Sequence, residues 1–110
     1  MQQAREAGVL IGFGSDSGAT LMIHGQLCRA MYGESKMGSS PMETILMATR
    51  NAAKSLSREC DLGTVERAKL ADLIIVDGNP LDDLRILGRL DGVMKDGVLY
   101  RNQKFSPSRR

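Results

Sequence analysis

The hydrophobic positions near the start of the chain form one continuous run. Gly8 to Gly14 is apolar and bounded by glycine, a pattern typical of a strand buried on both faces, as in a parallel sheet covered by helices. The polar segment before it, residues 1–7, has the character of a helix end closed by Gly8. Further on, apolar residues between about Gly25 and Tyr32 share one helical face and predict a second helix.

The clearest helix signal begins at Ser40. This serine can cap the helix, Pro41 suits its first position, and Glu43 completes a capping box in which two side chains satisfy backbone N–H groups. Apolar and small residues then recur at spacings of three and four to about Leu56. We therefore predict an amphipathic helix that packs closely on a sheet.

After Cys60 the pattern becomes extended. We predict a short strand over Leu62–Glu66, a strand over Ala71–Asp77, and one or two helical turns within residues 81–90. The Asp-Gly pair inside residues 92–100 lies between two apolar runs and is a strong hairpin signal.

Length and composition restrict the function classes. The 110 residues are far short of the roughly 250 that a complete (β/α)8 barrel needs. A net charge of +2 with dispersed basic residues argues against nucleic acid as a partner. No apolar stretch is long enough for a membrane span, and two widely spaced cysteines, Cys28 and Cys60, favour reduced, partly buried thiols in a cytoplasmic protein.

Asp16 is the first candidate for chemistry, because it stands at the end of the predicted buried strand. A carboxylate in such a place needs a cation or several hydrogen bonds. On local sequence alone, capping of the following turn is the commoner role. A dinucleotide loop is a remote alternative, because Asp16 would put negative charge where a pyrophosphate binds. A serine nucleophile at Ser17 lacks the G-x-S-x-G frame and an acid to orient His24.

Several motifs, taken together and in order, resemble the C-terminal part of a metal-dependent amidohydrolase, nearest to the imidazolonepropionase-like and Xaa-Pro dipeptidase-like enzymes. They are Gly8-Val9 through Gly14-Ser15-Asp16-Ser17-Gly18, His24-Gly25, Ser40-Pro41-Met42-Glu43-Thr44-Ile45, Ala48-Thr49-Arg50-Asn51-Ala52-Ala53, Gly63-Thr64-Val65-Glu66, Lys69-Leu70-Ala71-Asp72 to Pro80-Leu81, and Val93-Met94-Lys95-Asp96-Gly97.

The resemblance implies an α/β fold that is incomplete on its own. Residues 1–60 would supply the last strand and helices of a (β/α)8 barrel, and residues 61–104 the returning strands and hairpin of a small composite β-sandwich. Residues 105–110 would form a disordered tail. In the family, the aspartate that matches Asp16 binds a divalent metal, with zinc as the expected ion, and serves as the general base for the bound water.

The other family ligands are an H-x-H pair, a carbamylated lysine or glutamate, and two further histidines, and this sequence has His24 alone. His24 would line the mouth of the site and contact substrate or hold Asp16, the alternative being an ordinary loop histidine. Glu43, Asp72 and Asn51 are expected to serve as a cap, a turn residue and a packing residue.

Two functions follow. The chain is part of a hydrolase for small amide or dipeptide substrates, inactive alone, or a non-catalytic remnant that associates through unpaired strand edges; homo-oligomerisation is left open. Two positions depart from the family pattern, because Ser57 and Ala68 stand where glycine is usual. If both positions require a positive φ, each substitution adds strain.

Overall fold

The computed structural model describes residues 2–18 and 23–101, so the expected tail, residues 105–110, lies outside the described residues. The fold is α/β with a small antiparallel sheet. In chain order its elements are α1 (Gln2–Glu6), α2 (Leu27–Lys36), α3 (Pro41–Leu46), a π turn (Met47–Asn51), α4 (Ala52–Ser55), β1 (Leu73–Val76), a 3₁₀ helix (Leu84–Gly88), β2 (Leu90–Lys95) and β3 (Val98–Arg101).

The predicted capping box opens the longest helical stretch, in which α3, the π turn and α4 follow without a break; we call this stretch, residues 41–55, the long helix. The Glu43 N–H donates to Ser40 Oγ at 3.2 Å, and the Ser40 N–H donates to the Glu43 carboxylate at 2.7 Å. Hydrogen bonds from the Ser40 hydroxyl and backbone lower the pKa of Glu43. The amphipathic helix and the capping role of Glu43 are confirmed, whereas the π turn is not predictable from periodicity.

The sheet has the order β1-β2-β3, with both pairs antiparallel. Asp96 and Gly97 join β2 to β3 with φ values of 49° and 77°, as a type I′ turn requires, so the hairpin prediction is confirmed. Asp72 fixes this turn to the start of β1, because its carboxylate accepts the Asp96 N–H at 2.7 Å and the Lys95 ammonium. Asp72 is therefore a turn residue, as expected.

Two predicted strands are wrong for the described residues. Residues 9–14 form no strand; their backbone instead contacts the long helix. A strand buried on both faces needs neighbours that the described residues do not supply. Residues 62–66 form no strand either, and the chain bends at residues 62–64, because Gly63 has a φ of 90°, which is incompatible with β geometry, and packs against Ala53.

The core is small. Its buried apolar side chains are Met31, Met47, Ala53 and Leu84. Polar groups lie beside them: Glu34, only 4% exposed, pairs with Arg5 at 3.3 Å and thereby joins α1 to α2. The radius of gyration of 15.4 Å exceeds the ~13 Å of a compact domain of about 100 residues.

The two cysteines are unpaired, as expected, but Cys60 is exposed rather than partly buried. Cys28 is half-buried, and its sulfur lies 3.1 Å from the position that a Cβ at Gly88 would occupy. None of the described helices has the length and apolar character needed to cross a membrane.

Candidate functional site

Asp16 ends a segment that leaves α1 at Gly8 and has no regular secondary structure; we call residues 9–16 the Asp16 segment. Asp16 is exposed and has a φ of 47°, a left-handed conformation that aspartate tolerates better than most residues. The residues on either side of it are linked, since the Ser17 hydroxyl donates to Ser15 Oγ at 2.7 Å. The carboxylate therefore belongs to an exposed residue at the end of the Asp16 segment.

The long helix holds the middle of the Asp16 segment at three consecutive residues. The Phe13 N–H donates to the Met47 carbonyl at 2.9 Å, and the Asn51 side-chain amide donates to the Ile11 carbonyl at 2.9 Å. Between them, a Cβ at Gly12 would lie 3.0 Å from Ser55 Oγ, so glycine allows the close approach. Asn51 thus makes the packing hydrogen bond expected of it.

His24 is eight residues beyond Asp16 in sequence. Its side chain is exposed, and its Nε2 atom is 3.8 Å from the position that a Cβ at Gly18 would occupy. The imidazole therefore approaches the chain two residues beyond Asp16. Residues 19–22, which connect the two, lie outside the described residues.

A groove of about 400 Å³ runs along the Asp16 segment on the side of the long helix. Residues 8–11 form one wall, and Leu46, Met47 and Asn51 contribute to the other. Three basic residues, Arg5, Arg50 and Lys54, and one acid, Glu43, also line it. This groove lies beside the part of the segment that precedes Asp16.

The sequence and the fold of this chain are similar to those of known proteins. A model of the amidohydrolase family matches residues 1–100. The chain belongs to the amidohydrolase family.

Solved structures similar to this amidohydrolase chain include a Xaa-Pro dipeptidase with methionine bound in its active site, at 42% identity and a TM-score of 0.82. The match covers 92% of this chain and 24% of that one. A putative prolidase from Bifidobacterium longum is 35% identical with a TM-score of 0.81, and the match covers 98% of this chain and 26% of that one. The predicted resemblance is thereby confirmed.

Two further relatives are matched over smaller shares of their own length. Ochratoxinase of Aspergillus niger is 29% identical over 113 residues, which span 96% of this chain and 22% of that enzyme. Imidazolonepropionase of Shouchella clausii is 36% identical over 66 residues, 57% of this chain and 15% of that enzyme. The chain thus spans about a quarter of the length of the solved relatives it matches.

Enzymes of the amidohydrolase family typically use divalent metals. Residues 2–18 and 23–101 contain no group of three or more histidine, cysteine, aspartate or glutamate side chains placed to hold an ion. One carboxylate and one imidazole do not make the three- or four-ligand site that zinc requires. The described residues alone therefore do not fit a resident metal.

Proposed function

We propose that these residues are the C-terminal portion of a metal-dependent hydrolase that cleaves carbon–nitrogen bonds in small amides or dipeptides. In this proposal residues 1–60 belong to a (β/α)8 barrel, with the Asp16 segment in place of its last strand, and residues 61–104 belong to a composite β-sandwich. The membership in the amidohydrolase family supports this assignment, as does the similarity to a Xaa-Pro dipeptidase and a prolidase.

The observation that carries the proposal is the exposure of large apolar side chains on two parts of the fold. Val9 and Leu10 on the Asp16 segment are 56% and 44% exposed, and Ile74 and Tyr100 on the sheet are 52% and 60% exposed. Large exposed apolar surface marks places where a protein contacts a partner. Since the chain spans a quarter of its solved relatives, the natural partner is the remainder of such an enzyme.

In that complete site we propose that Asp16 is a metal ligand, with zinc as the expected ion, and the general base of the reaction. Its exposure at the end of the Asp16 segment leaves the carboxylate free for both roles. We further propose that His24 contacts the substrate, because its imidazole approaches the chain just beyond Asp16. The unpaired cysteines favour a reducing compartment, so we place the protein in the cytoplasm.

The test compares Asp16→Asn with Asp77→Asn in the full-length gene product that carries these residues. Asp77 is a matched control, because it is also an exposed aspartate that follows an apolar run. Hydrolysis of a panel of Xaa-Pro dipeptides and N-acyl amino acids should fall by about 10²- to 10⁴-fold in Asp16→Asn, the usual contribution of a general base, and persist in Asp77→Asn. Full activity of Asp16→Asn would refute the catalytic role.

The 110-residue chain on its own should neither bind zinc stoichiometrically nor hydrolyse amides, because it lacks the histidine ligands. Turnover by the isolated chain that disappears in Asp16→Asn would contradict this expectation.

A non-catalytic association module is the second candidate. It is favoured by the outer edges of β1 and β3, which pair with no other strand in the described part of the chain and carry exposed apolar side chains. The DNA sequence upstream of Met1 separates the two candidates, since an in-frame H-x-H favours the hydrolase and a promoter with a stop codon favours the module.

A further inference from the structure

Asn51 is a polar residue in the C-terminal half of the long helix, and its side chain reaches another part of the fold. Its Nδ2 atom donates to the backbone carbonyl of Ile11 at 2.9 Å, while its Oδ1 atom lies 3.4 Å from the Nε donor of Arg50. Both ends of the amide therefore have a hydrogen-bonding partner, which fixes its orientation. The residue is half-buried, where an unsatisfied amide would be costly.

The Ile11 carbonyl and the Phe13 N–H lie two residues apart, and an extended chain presents such a pair along one edge to a neighbouring strand. Here the long helix provides both partners, because Asn51 supplies the donor and the Met47 carbonyl supplies the acceptor. The helix thus substitutes, along this edge, for the strand that the described residues lack.

The π turn explains how a backbone carbonyl of the long helix can accept a hydrogen bond from outside the helix. Met47 and Asn51 are the first and last residues of this turn. In a regular α-helix the carbonyl of Met47 would accept the N–H of Asn51, four residues on. A π turn breaks that pattern and is often found at functional sites. Both residues that hold the Asp16 segment therefore belong to the one irregular turn of the long helix.

We infer that Asn51 is a positioning residue for Asp16, acting through the Asp16 segment rather than by contact with substrate. This inference rests on the proposed catalytic role of Asp16. Three consecutive residues are held against the helix: Ile11 and Phe13 by hydrogen bonds, and Gly12 by close packing on Ser55. Asp16 follows only three residues later, so its carboxylate position depends on this attachment. A displacement of about 1 Å at a reacting group can reduce turnover by about 100-fold.

The variants are Asn51→Leu, which removes the donor at similar volume, and Asn51→Ser, which keeps a hydroxyl but is too short to reach Ile11. Thr49→Val is the matched control, because Thr49 lies in the same π turn and its hydroxyl bonds only the Ile45 carbonyl of its own helix. All are made in the full-length gene product. Hydrogen exchange, read by mass spectrometry on peptides that contain residues 9–16, measures the attachment. The kcat and KM for the dipeptide Met-Pro, together with metal content, measure its consequence.

Both Asn51 variants should show about fivefold faster exchange in residues 9–16, the effect of losing one ordinary hydrogen bond. Their kcat should fall about 10- to 100-fold, with KM and metal content unchanged, and Thr49→Val should match the wild type in every measurement. Unchanged exchange in both Asn51 variants would overturn the inference. Faster exchange with a normal kcat would overturn the positioning role and leave the proposed function intact.

The proposed function fails separately, if Asp16→Asn retains full activity or the wild type hydrolyses none of the panel. In that case only the hydrogen exchange of residues 9–16 tests whether Asn51 holds the Asp16 segment. Faster exchange in both Asn51 variants supports that part of the inference.

Discussion

The packing of the turn at Gly63 against the long helix gives a prediction whose magnitude follows from the structure. Gly63 has a φ of 90°, and an added Cβ would lie 2.6 Å from Ala53 Cβ, 3.0 Å from Arg50 Cα and 3.1 Å from the Thr49 carbonyl oxygen. Two of these three neighbours are backbone atoms, and none belongs to a flexible side chain that can rotate away. Gly63→Ala must therefore displace the turn from the helix.

Two costs add in this variant. A non-glycine residue in the left-handed region costs about 1–2 kcal/mol, and overpacking costs about 1–3 kcal/mol. The free energy of unfolding should therefore fall by about 2–5 kcal/mol, a large part of the 5–15 kcal/mol typical of folded domains.

Gly97→Ala separates the two costs. Gly97 has a similar φ of 77°, but an added Cβ there would meet nothing within 4 Å. This control should lose only about 1–2 kcal/mol, from backbone strain alone. The assay is urea unfolding of the full-length gene product, with the stability change taken from the shift of the midpoint at constant slope. Equal losses in the two variants would refute the close packing of Gly63 on the helix.

Two further predictions concern backbone strain and pH. Ser57 and Ala68 have φ values of 54° and 68°, which glycine adopts without strain. Ser57→Gly and Ala68→Gly should therefore each raise the thermal midpoint of unfolding, by the equivalent of up to about 1 kcal/mol. No rise in either variant would contradict this. A hydrogen bond from Lys95 and another from the Asp96 N–H lower the pKa of Asp72 in the folded state. The stabilising effect of the ionised Asp72 is therefore complete above the unfolded pKa of about 4 and is lost as the pH falls below it. Unfolding midpoints measured between pH 6 and pH 2 should depend less on pH in Asp72→Asn than in the wild type. Identical profiles of the two proteins would contradict this.

The features that the sequence predicted correctly are those determined within a few residues. The capping box at Ser40 and Glu43 and the turn at Asp96-Gly97 each depend on neighbouring side chains and backbone angles. The left-handed conformations of Ser57 and Ala68 were also predictable, because the family pattern has glycine there. Their confirmation shows that the chain keeps the family's backbone at two positions where its own residues are less suited to it.

The features that could not be predicted depend on contacts between distant residues. Nothing in the local sequence of Met47 to Asn51 distinguishes a π turn from an α-helix, and the two contacts of this turn with the Asp16 segment join residues 34 and 40 positions apart in sequence. The failed strand over residues 62–66 has a similar origin, since Gly63 is required by its approach to Ala53. The sequence therefore identified Asp16 as a candidate but not the helix turn that holds it.

The failed strand prediction for Gly8 to Gly14 bears directly on the proposed function. A continuous apolar run indicates a segment that is buried in the complete fold. Here Val9 and Leu10 remain about half exposed, although Phe13 is attached to the long helix. Full burial of one such side chain contributes about 1.5–3 kcal/mol. Because each is already about half covered, covering the rest of both would add about 1.5–3 kcal/mol in total to the association with the rest of the enzyme. The edge that carries the Ile11 carbonyl is already satisfied by Asn51, so we expect a neighbouring strand to pair with the opposite edge of the segment and other parts of the enzyme to cover the exposed side chains. If the full-length hydrolase leaves Val9 and Leu10 as exposed as they are here, the pattern has another cause and the barrel assignment loses its main physical support.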